Sequence, residues 1–405
     1  MTKQLTSFFN QYLTAPTIFK NKRVLQSNYT PHTISHREQQ IETIARILAP
    51  SLKNEKPSNL FIYGKTGTGK TVTLKHVINS LKEVAKEKVI AIKTIYVNCK
   101  LKKVADTEYR LIAQIAREFA KEIPATGLPT EEIYNIFYKT IDSEPQTILL
   151  ILDEIDQLVQ KTGDEILYNL TRLNSELHQT QLSIIGISND IRFTETLDPR
   201  VKSSLSEEEM IFPPYNAIQL QSILSDRAKD AFHKGTIEQG VLEKCAAFAA
   251  REHGDARRAL ELLRVAGEIA DRDGANMVKV LHLDIAEEKI EKDKIIDTVS
   301  SQPKQFQVTL LVILKMYLKQ KDTIFTGEVY ENYKYLCHTI NLHPLTQRRI
   351  SDIIAEMDML GIINAKIISK GRYGRTREIH ITLPFSLVEG IIKLLEEQIQ
   401  TGVQT

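Results

Sequence analysis

The chain has 405 residues, too many for one ordinary domain, so two to four compact units are expected. With 42% hydrophobic and 26% charged residues, each unit has the means to bury a core. A formal net charge of only +2 rules out an argument for nucleic acid from global charge; such an argument must rest on local clusters.

From Ser35, SHREQQIETIARILAP places Ile41, Ile44, Ala45 and Leu48 at helical spacing and ends before Pro50. NLFIYG then reads as a short buried strand, broken by the glycine-rich GKTGTGKT. Val72, Leu74, Val77, Ile78 and Leu81 suit a packed helix after it. VIAIKTIYVNC is the next predicted strand. DTEYRLIAQIAREFA is amphipathic, with Leu111, Ile112, Ile115 and Phe119 on one side. TILLILDEID and LSIIGISND are two further strands, each an apolar run ending in polar residues. Apolar runs alternating with helices indicate parallel strands covered on both faces, hence an α/β fold with a P-loop parallel sheet.

The strand pattern ends near Phe212, Pro213 and Pro214. From Asn216 to about Val299 the chain reads helical, with breaks at Gly235, Gly254 and Gly274, which predicts an all-α unit. IAEEKIEKDKIID is heavily charged and suits a solvated linking helix. After Pro303, Phe306 to Leu318 form a helix with a broad apolar face. PLTQRRISDIIAEMDMLGII then sets Ile350, Ile353, Ile354, Met357 and Leu360 at helical spacing. Two alternating segments, AKIISK and REIHITL, flank the polar tip GRYGRT. Helices followed by a β-hairpin are the order of a winged helix. The expected division is therefore 1–213, 214–300 and 301–405, with a tail that frays after Glu396.

GKTGTGKT, Gly64 to Thr71, satisfies G-x-x-x-x-G-K-[ST] between a predicted strand and a predicted helix. Gly64, Gly67 and Gly69, with Lys65, Thr66 and Thr68 between them, let backbone N–H groups turn toward phosphate oxygens. The helix that follows adds the positive end of its dipole. Lys70 can reach the β- and γ-phosphates, and the Thr71 hydroxyl can ligate Mg²⁺. A second metal-facing carboxylate is needed on a neighbouring strand, and ILLILDEID supplies Asp153. Glu154 beside it is placed to activate the attacking water, the alternative being a helix-capping acid. Asp156 reads as a cap or surface acid. Asn189, at the end of the next strand, can orient the lytic water or touch the γ-phosphate; otherwise it is a turn residue. Arg257 in GDARRALELLR and Arg200 in DPRVKSSL are each able to set a guanidinium on a phosphate, or else to make surface ion pairs.

Residues 364–377, NAKIISKGRYGRTR, carry five basic side chains and no acid. The charges cluster at the predicted hairpin tip of Gly371, Arg372, Tyr373, Gly374 and Arg375, which suits entry into a minor groove. Thr346, Gln347, Arg348, Arg349 and Ser351 open the preceding helix, and all can meet phosphates or base edges in a major groove. A winged helix used only for protein contacts is the alternative. Cys99, Cys245 and Cys337 lack disulfide or zinc spacing and read as small buried hydrophobes. Without an apolar run of about 18 residues, an intracellular, membrane-free protein is expected.

These pieces together resemble the archaeal origin-recognition initiators, relatives of the largest subunit of the eukaryotic origin recognition complex and of its partner loader. The resemblance runs from about Tyr29 to Leu383, on YTPHTISHRE, GKTGTGKT, ILDEID, ISND, LDPRVKSSL, FPPY, GDARRAL and the basic wing. It implies an AAA+ ATPase that binds ATP, ADP and Mg²⁺ and uses slow hydrolysis as a switch. Lys70 and Thr71 then look like the Walker A ligands, Asp153 and Glu154 the Walker B pair, Asn189 the first sensor and Arg257 the second. Tyr29 to Arg37 looks like the segment beside adenine and ribose, joined by Tyr215. The DTEYRLIA helix looks like the initiator-specific insertion, with Lys102, Lys103 and Arg110 touching DNA and Glu108 set unfavourably in that face. Duplex origin DNA, a paralogous initiator and the replicative helicase are the implied partners, and the cytoplasm beside the nucleoid the implied location. A winged-helix transcription regulator and a clamp-loader-like ATPase are the competing functions.

Overall fold

The computed structural model describes residues 17–27, 29–31, 33–101, 105–119, 129–205, 207–319, 324–369 and 375–401. The chain divides into two compact units, Met1–Asp284 and Ile285–Thr405. In the first, α1 (Glu38–Leu48), β1 (Asn59–Tyr63), α2 (Lys70–Glu87), β2 (Ile92–Asn98), α3 (Glu108–Arg117) and α4 (Thr130–Ile141) lead to β3 (Gln146–Asp153). Next come α5 (Ile155–Thr162), α6 (Glu165–Arg172), β4 (Thr180–Ser188), α7 (Pro199–Leu205) and β5 (Glu207–Ile211). The sheet order is β2-β3-β4-β1-β5, and every neighbouring pair is parallel.

Alternation along the strands divides the core in two. Phe61, Tyr63, Ile148, Leu150 and Leu152 face one cluster with Leu111, Ile112 and Phe137 of α3 and α4. Leu60, Ile62, Leu149 and Ile151 face the other, with Ile44 and Leu48 of α1 and Leu74 and Ile78 of α2. Both faces are thus dry, which is why these strands read as continuous apolar runs. The sequence pattern does not announce β5, which immediately precedes Phe212. It pairs only with β1, and its Glu208 and Glu209 are tolerated because an edge strand keeps one side in water.

Helices α8 (Ala217–Ala231), α9 (Val241–Arg251) and α10 (Ala256–Arg272) complete the first unit. Asn216 caps α8 through a reciprocal box with Gln219, and Asp255 caps α10 by accepting from the Arg257 and Arg258 N–H groups. The described N-terminal segment is tied to α8, where Lys20 N and Asn21 N donate to Ala231 O and Phe19 stacks on Phe232 at 4.7 Å between centroids. The charged stretch expected to link the units lies in α11 (Val280–Ser300).

In the second unit, α12 (Lys304–Lys319), β6 (Ile324–Phe325), α13 (Thr326–Thr339) and α14 (Gln347–Met359) precede β7 (Ile363–Ser369), β8 (Arg375–Ile381) and α15 (Phe385–Thr401). The three strands form an antiparallel sheet in the order β6-β8-β7, giving a winged helix. Ile350, Ile353, Ile354 and Met357 of α14 pack on Leu310, Leu314 and Tyr333. Among the described residues the fraying expected after Glu396 is not seen. Helix α15 continues to Thr401, because helical spacing places Val388, Ile391, Leu395 and Ile399 in that same core.

Candidate functional site

The carboxyl ends of the parallel strands border an open cleft of about 490 Å³ within the first unit, a size that suits a nucleotide. Thr66 to Thr71 line it, together with Asp153, Glu154, Asn189, Tyr29, Tyr215 and Arg257. The loop from Gly64 to Gly69 is shaped by close approaches. Gly67 has φ +70°, and a Cβ there would lie 1.6 Å from Asp255 Oδ1. Gly69 has φ +91°, and a Cβ there would lie 2.6 Å from the Tyr215 hydroxyl. Both positions therefore require glycine. Ala256 N also donates to Gly67 O at 3.1 Å, which ties the start of α10 to the loop.

Lys70 is buried, and its ammonium donates to Gly64 O at 2.6 Å, Lys65 O at 2.8 Å and Asn189 Oδ1 at 2.9 Å. Burial pulls its pKa down to about 8, with Asp153 opposing that shift and Arg257 adding to it. Thr71 Oγ1 donates to Asp153 Oδ2 at 3.0 Å. A hydroxyl and a carboxylate at that separation are hard oxygen donors that fit Mg²⁺, and the glycine-shaped loop with Lys70 fits a polyphosphate. Glu154 follows in the left-handed region at φ 56°, a conformation costing roughly 1 kcal/mol for a residue with a β-carbon. Its carboxylate lies 3.7 Å from Lys100 Nζ.

Two expected nucleotide contacts are placed elsewhere. The Arg37 guanidinium is buried and donates to Thr68 O at 3.0 and 2.9 Å and to Pro213 O at 2.6 Å. It packs over the Tyr215 ring at 3.9 Å, so it braces the phosphate loop from behind rather than lining the cleft. Arg200 is exposed and paired with Asp198, Nε to Oδ1 at 3.1 Å, away from the residues lining the cleft. Tyr29 does line it, with the Arg227 guanidinium 4.8 Å from its ring centroid. Asp156 is neither a cap nor a surface acid. It is buried and accepts from Ser188 Oγ at 3.0 Å and from Asn189 N at 3.3 Å, so it orients the Asn189 turn.

The expected DNA contacts divide similarly. Glu108 is turned inward, accepting from Tyr134 Oη at 2.5 Å and Asn169 Nδ2 at 2.9 Å, so it does not occupy a DNA-facing position. Arg110 is half exposed and 3.4 Å from Asp106. Lys102, Lys103, Gly371, Arg372, Tyr373 and Gly374 lie outside the described residues, as does the side chain of Arg375, whose backbone opens β8 opposite Ser369. Thr346 caps α14 by accepting from Arg349 N, and Gln347, Arg348 and Arg349 are exposed at the same end, with Ser351 half-buried. Arg349 reaches Asp352 only at 3.8 Å. That helix start thus offers first-turn N–H groups and cationic side chains together, a combination suited to phosphate.

Sequence reasoning does not reach Tyr96 or Arg227. Asp255 is legible after Gly254 as the aspartate cap that it forms, whereas Tyr96 and Arg227 arrive at the cleft only through tertiary packing. Cys99, Cys245 and Cys337 are buried free thiols, and burial pushes the first two up to about 12. Among the described residues, no helix is long and apolar enough to cross a membrane.

Family models match in three successive stretches: an AAA domain over residues 53–193, a Cdc6 AAA+ ATPase-type lid domain over 221–288, and a CDC6 C-terminal winged helix domain over 297–390. The chain is 52% identical over 401 residues to an ORC1-type DNA replication protein of Thermococcus onnurineus, covering 98% of this chain and 96% of that one. It is 49% identical over 397 residues to ORC1-type DNA replication protein 1 of Methanosarcina mazei, covering 98% and 94%. Among solved structures it is similar to the Aeropyrum pernix ORC1 protein in complex with DNA, with a TM-score of 0.80 and 42% identity over 93% of this chain and 96% of that one.

Proposed function

Because the chain belongs to the ORC1-type DNA replication protein family, we propose that it is an ATP-switched initiator that binds duplex DNA at replication origins. The observation that carries this reading is the likeness to a DNA-bound ORC1 protein along 93% of the chain, which includes both the nucleotide cleft and the winged helix. In function the chain divides at 1–213, 214–300 and 301–405 into a nucleotide-binding part, an all-α lid and a DNA-binding part.

Lys70 and the loop amides hold the phosphates, and Arg257, from the start of the lid helix α10 beside the loop, meets them too. Thr71 and Asp153 hold Mg²⁺, which supplies charge neutralisation between the phosphates when bound. Glu154 takes the proton of the attacking water, and Asn189, kept in place by Asp156, orients that water. Hydrolysis is slow and serves to change state. Tyr29 and Tyr215 border the nucleoside. On DNA, Thr346, Gln347, Arg348, Arg349 and Ser351 enter the major groove, while Arg372, Tyr373 and Arg375 of the wing reach the minor groove. Lys102, Lys103 and Arg110 add contacts from the insertion. The DNA-bound protein, alone or beside a paralogue, helps bring the replicative helicase, in the cytoplasm next to the chromosome.

Chromosome-wide occupancy tests this reading. One or a few clustered sites, at positions where replication begins, are expected. Occupancy scattered over promoters, with none at replication start sites, would overturn it in favour of a transcription regulator.

A further inference from the structure

We propose that Tyr96 is a positioning residue for the metal site, its phenol hydroxyl holding the Asp153 carboxylate in the orientation in which that carboxylate serves Mg²⁺. This rests on the nucleotide-site reading above and extends it to a residue one strand away.

Asp153 is buried, and donors from separate elements converge on it. Tyr96 Oη donates to Oδ2 at 2.5 Å, Thr71 Oγ1 donates to the same oxygen at 3.0 Å, and Glu154 N donates to Oδ1 at 3.0 Å. A hydroxyl carries one proton and two lone pairs, so Thr71 can keep donating to Asp153 while offering a lone pair to a cation. The β2–β3 register sets Tyr96 opposite Ile151 and Asn98 opposite Asp153, and the length of the tyrosine ring spans that two-residue offset to bring its hydroxyl to the carboxylate.

The ring is itself anchored. Lys75 of α2 places its ammonium 4.5 Å from the ring centroid, which links the phenol to the same helix that carries Lys70 and Thr71. Tyr96, Lys75 and Asp153 all line the cleft. Groups that orient a metal ligand without touching the metal commonly change metal affinity by about 10- to 100-fold when removed.

The test is Tyr96→Phe in the full chain, which keeps the ring and its contact with Lys75 and removes one hydroxyl. Binding of a fluorescent ATP analogue is measured in EDTA and then across a Mg²⁺ titration, beside the unaltered protein. The expected result is a half-saturating Mg²⁺ concentration raised about tenfold, with affinity in EDTA changed less than about twofold. An unchanged Mg²⁺ titration would overturn the role of Tyr96 while leaving the site reading intact. An equal loss in EDTA and in Mg²⁺ would also overturn it, since that pattern reports general damage to the cleft. If the unaltered protein binds the analogue with no response to Mg²⁺, the site reading itself falls, and this inference with it.

Discussion

Lys70→Ala is expected to weaken ATP binding by roughly 100-fold or more, which abolishes it at ordinary working concentrations. The ammonium is buried at the floor of the phosphate loop, held by Gly64 O, Lys65 O and Asn189 Oδ1. Phosphate oxygens replace weak carbonyl acceptors there with charged ones, and each charge-assisted bond is worth about 1.5–3 kcal/mol, so two of them account for the loss. The same residue gives a pH signature. Burial leaves Lys70 with a pKa of about 8, and bound phosphate favours the protonated form. Binding above that pH therefore takes up a proton, and affinity falls as pH rises from about 8 toward 10, by up to about tenfold per unit. Titration calorimetry at several pH values checks both points. Retained affinity in Lys70→Ala, or a fall with pH that persists in it, would contradict the assignment.

The second large effect is expected on DNA. Arg348→Ala with Arg349→Ala removes two exposed cations from the start of α14, and Arg372→Ala with Arg375→Ala removes two from the wing. Each phosphate contact contributes about 0.9 to the slope of log affinity against log salt on duplex DNA. Each double variant is expected to flatten that slope by one to two, roughly, and to lower affinity at physiological salt at least about tenfold. Fluorescence anisotropy of a labelled duplex over a salt series gives both quantities. A slope unchanged in both double variants would remove the winged helix from DNA binding and favour a clamp-loader-like ATPase that acts mainly on protein.

Legible in the sequence is the chemistry carried by contiguous residues. GKTGTGKT, ILLILDE and the helical repeat of α14 each contain their own geometry, so the loop, β3 with Asp153, and α14 all lie on the elements their patterns predict. Features decided by tertiary packing are not legible. The three glutamates of β5 look unlike a strand until its edge position is known. Asp156 looks like a surface acid because its partners, Ser188 and the Asn189 N–H, come from another strand and the turn after it. Arg37 looks free to meet a nucleotide, although Thr68 O, Pro213 O and the Tyr215 ring consume its guanidinium. The end of α15 looks like a frayed glutamine tail because one buried residue, Ile399, carries the signal.

In the proposed function, the nucleotide held by the loop alters how the chain engages duplex DNA. Duplex affinity and footprint are compared for nucleotide-free protein, the ADP form, and Glu154→Gln with Mg²⁺ and ATP, a variant expected to bind ATP and hardly hydrolyse it. The ATP-held form is predicted to differ from the other two in affinity or in the length of DNA protected. Identical affinity and an identical footprint in all three would contradict the account.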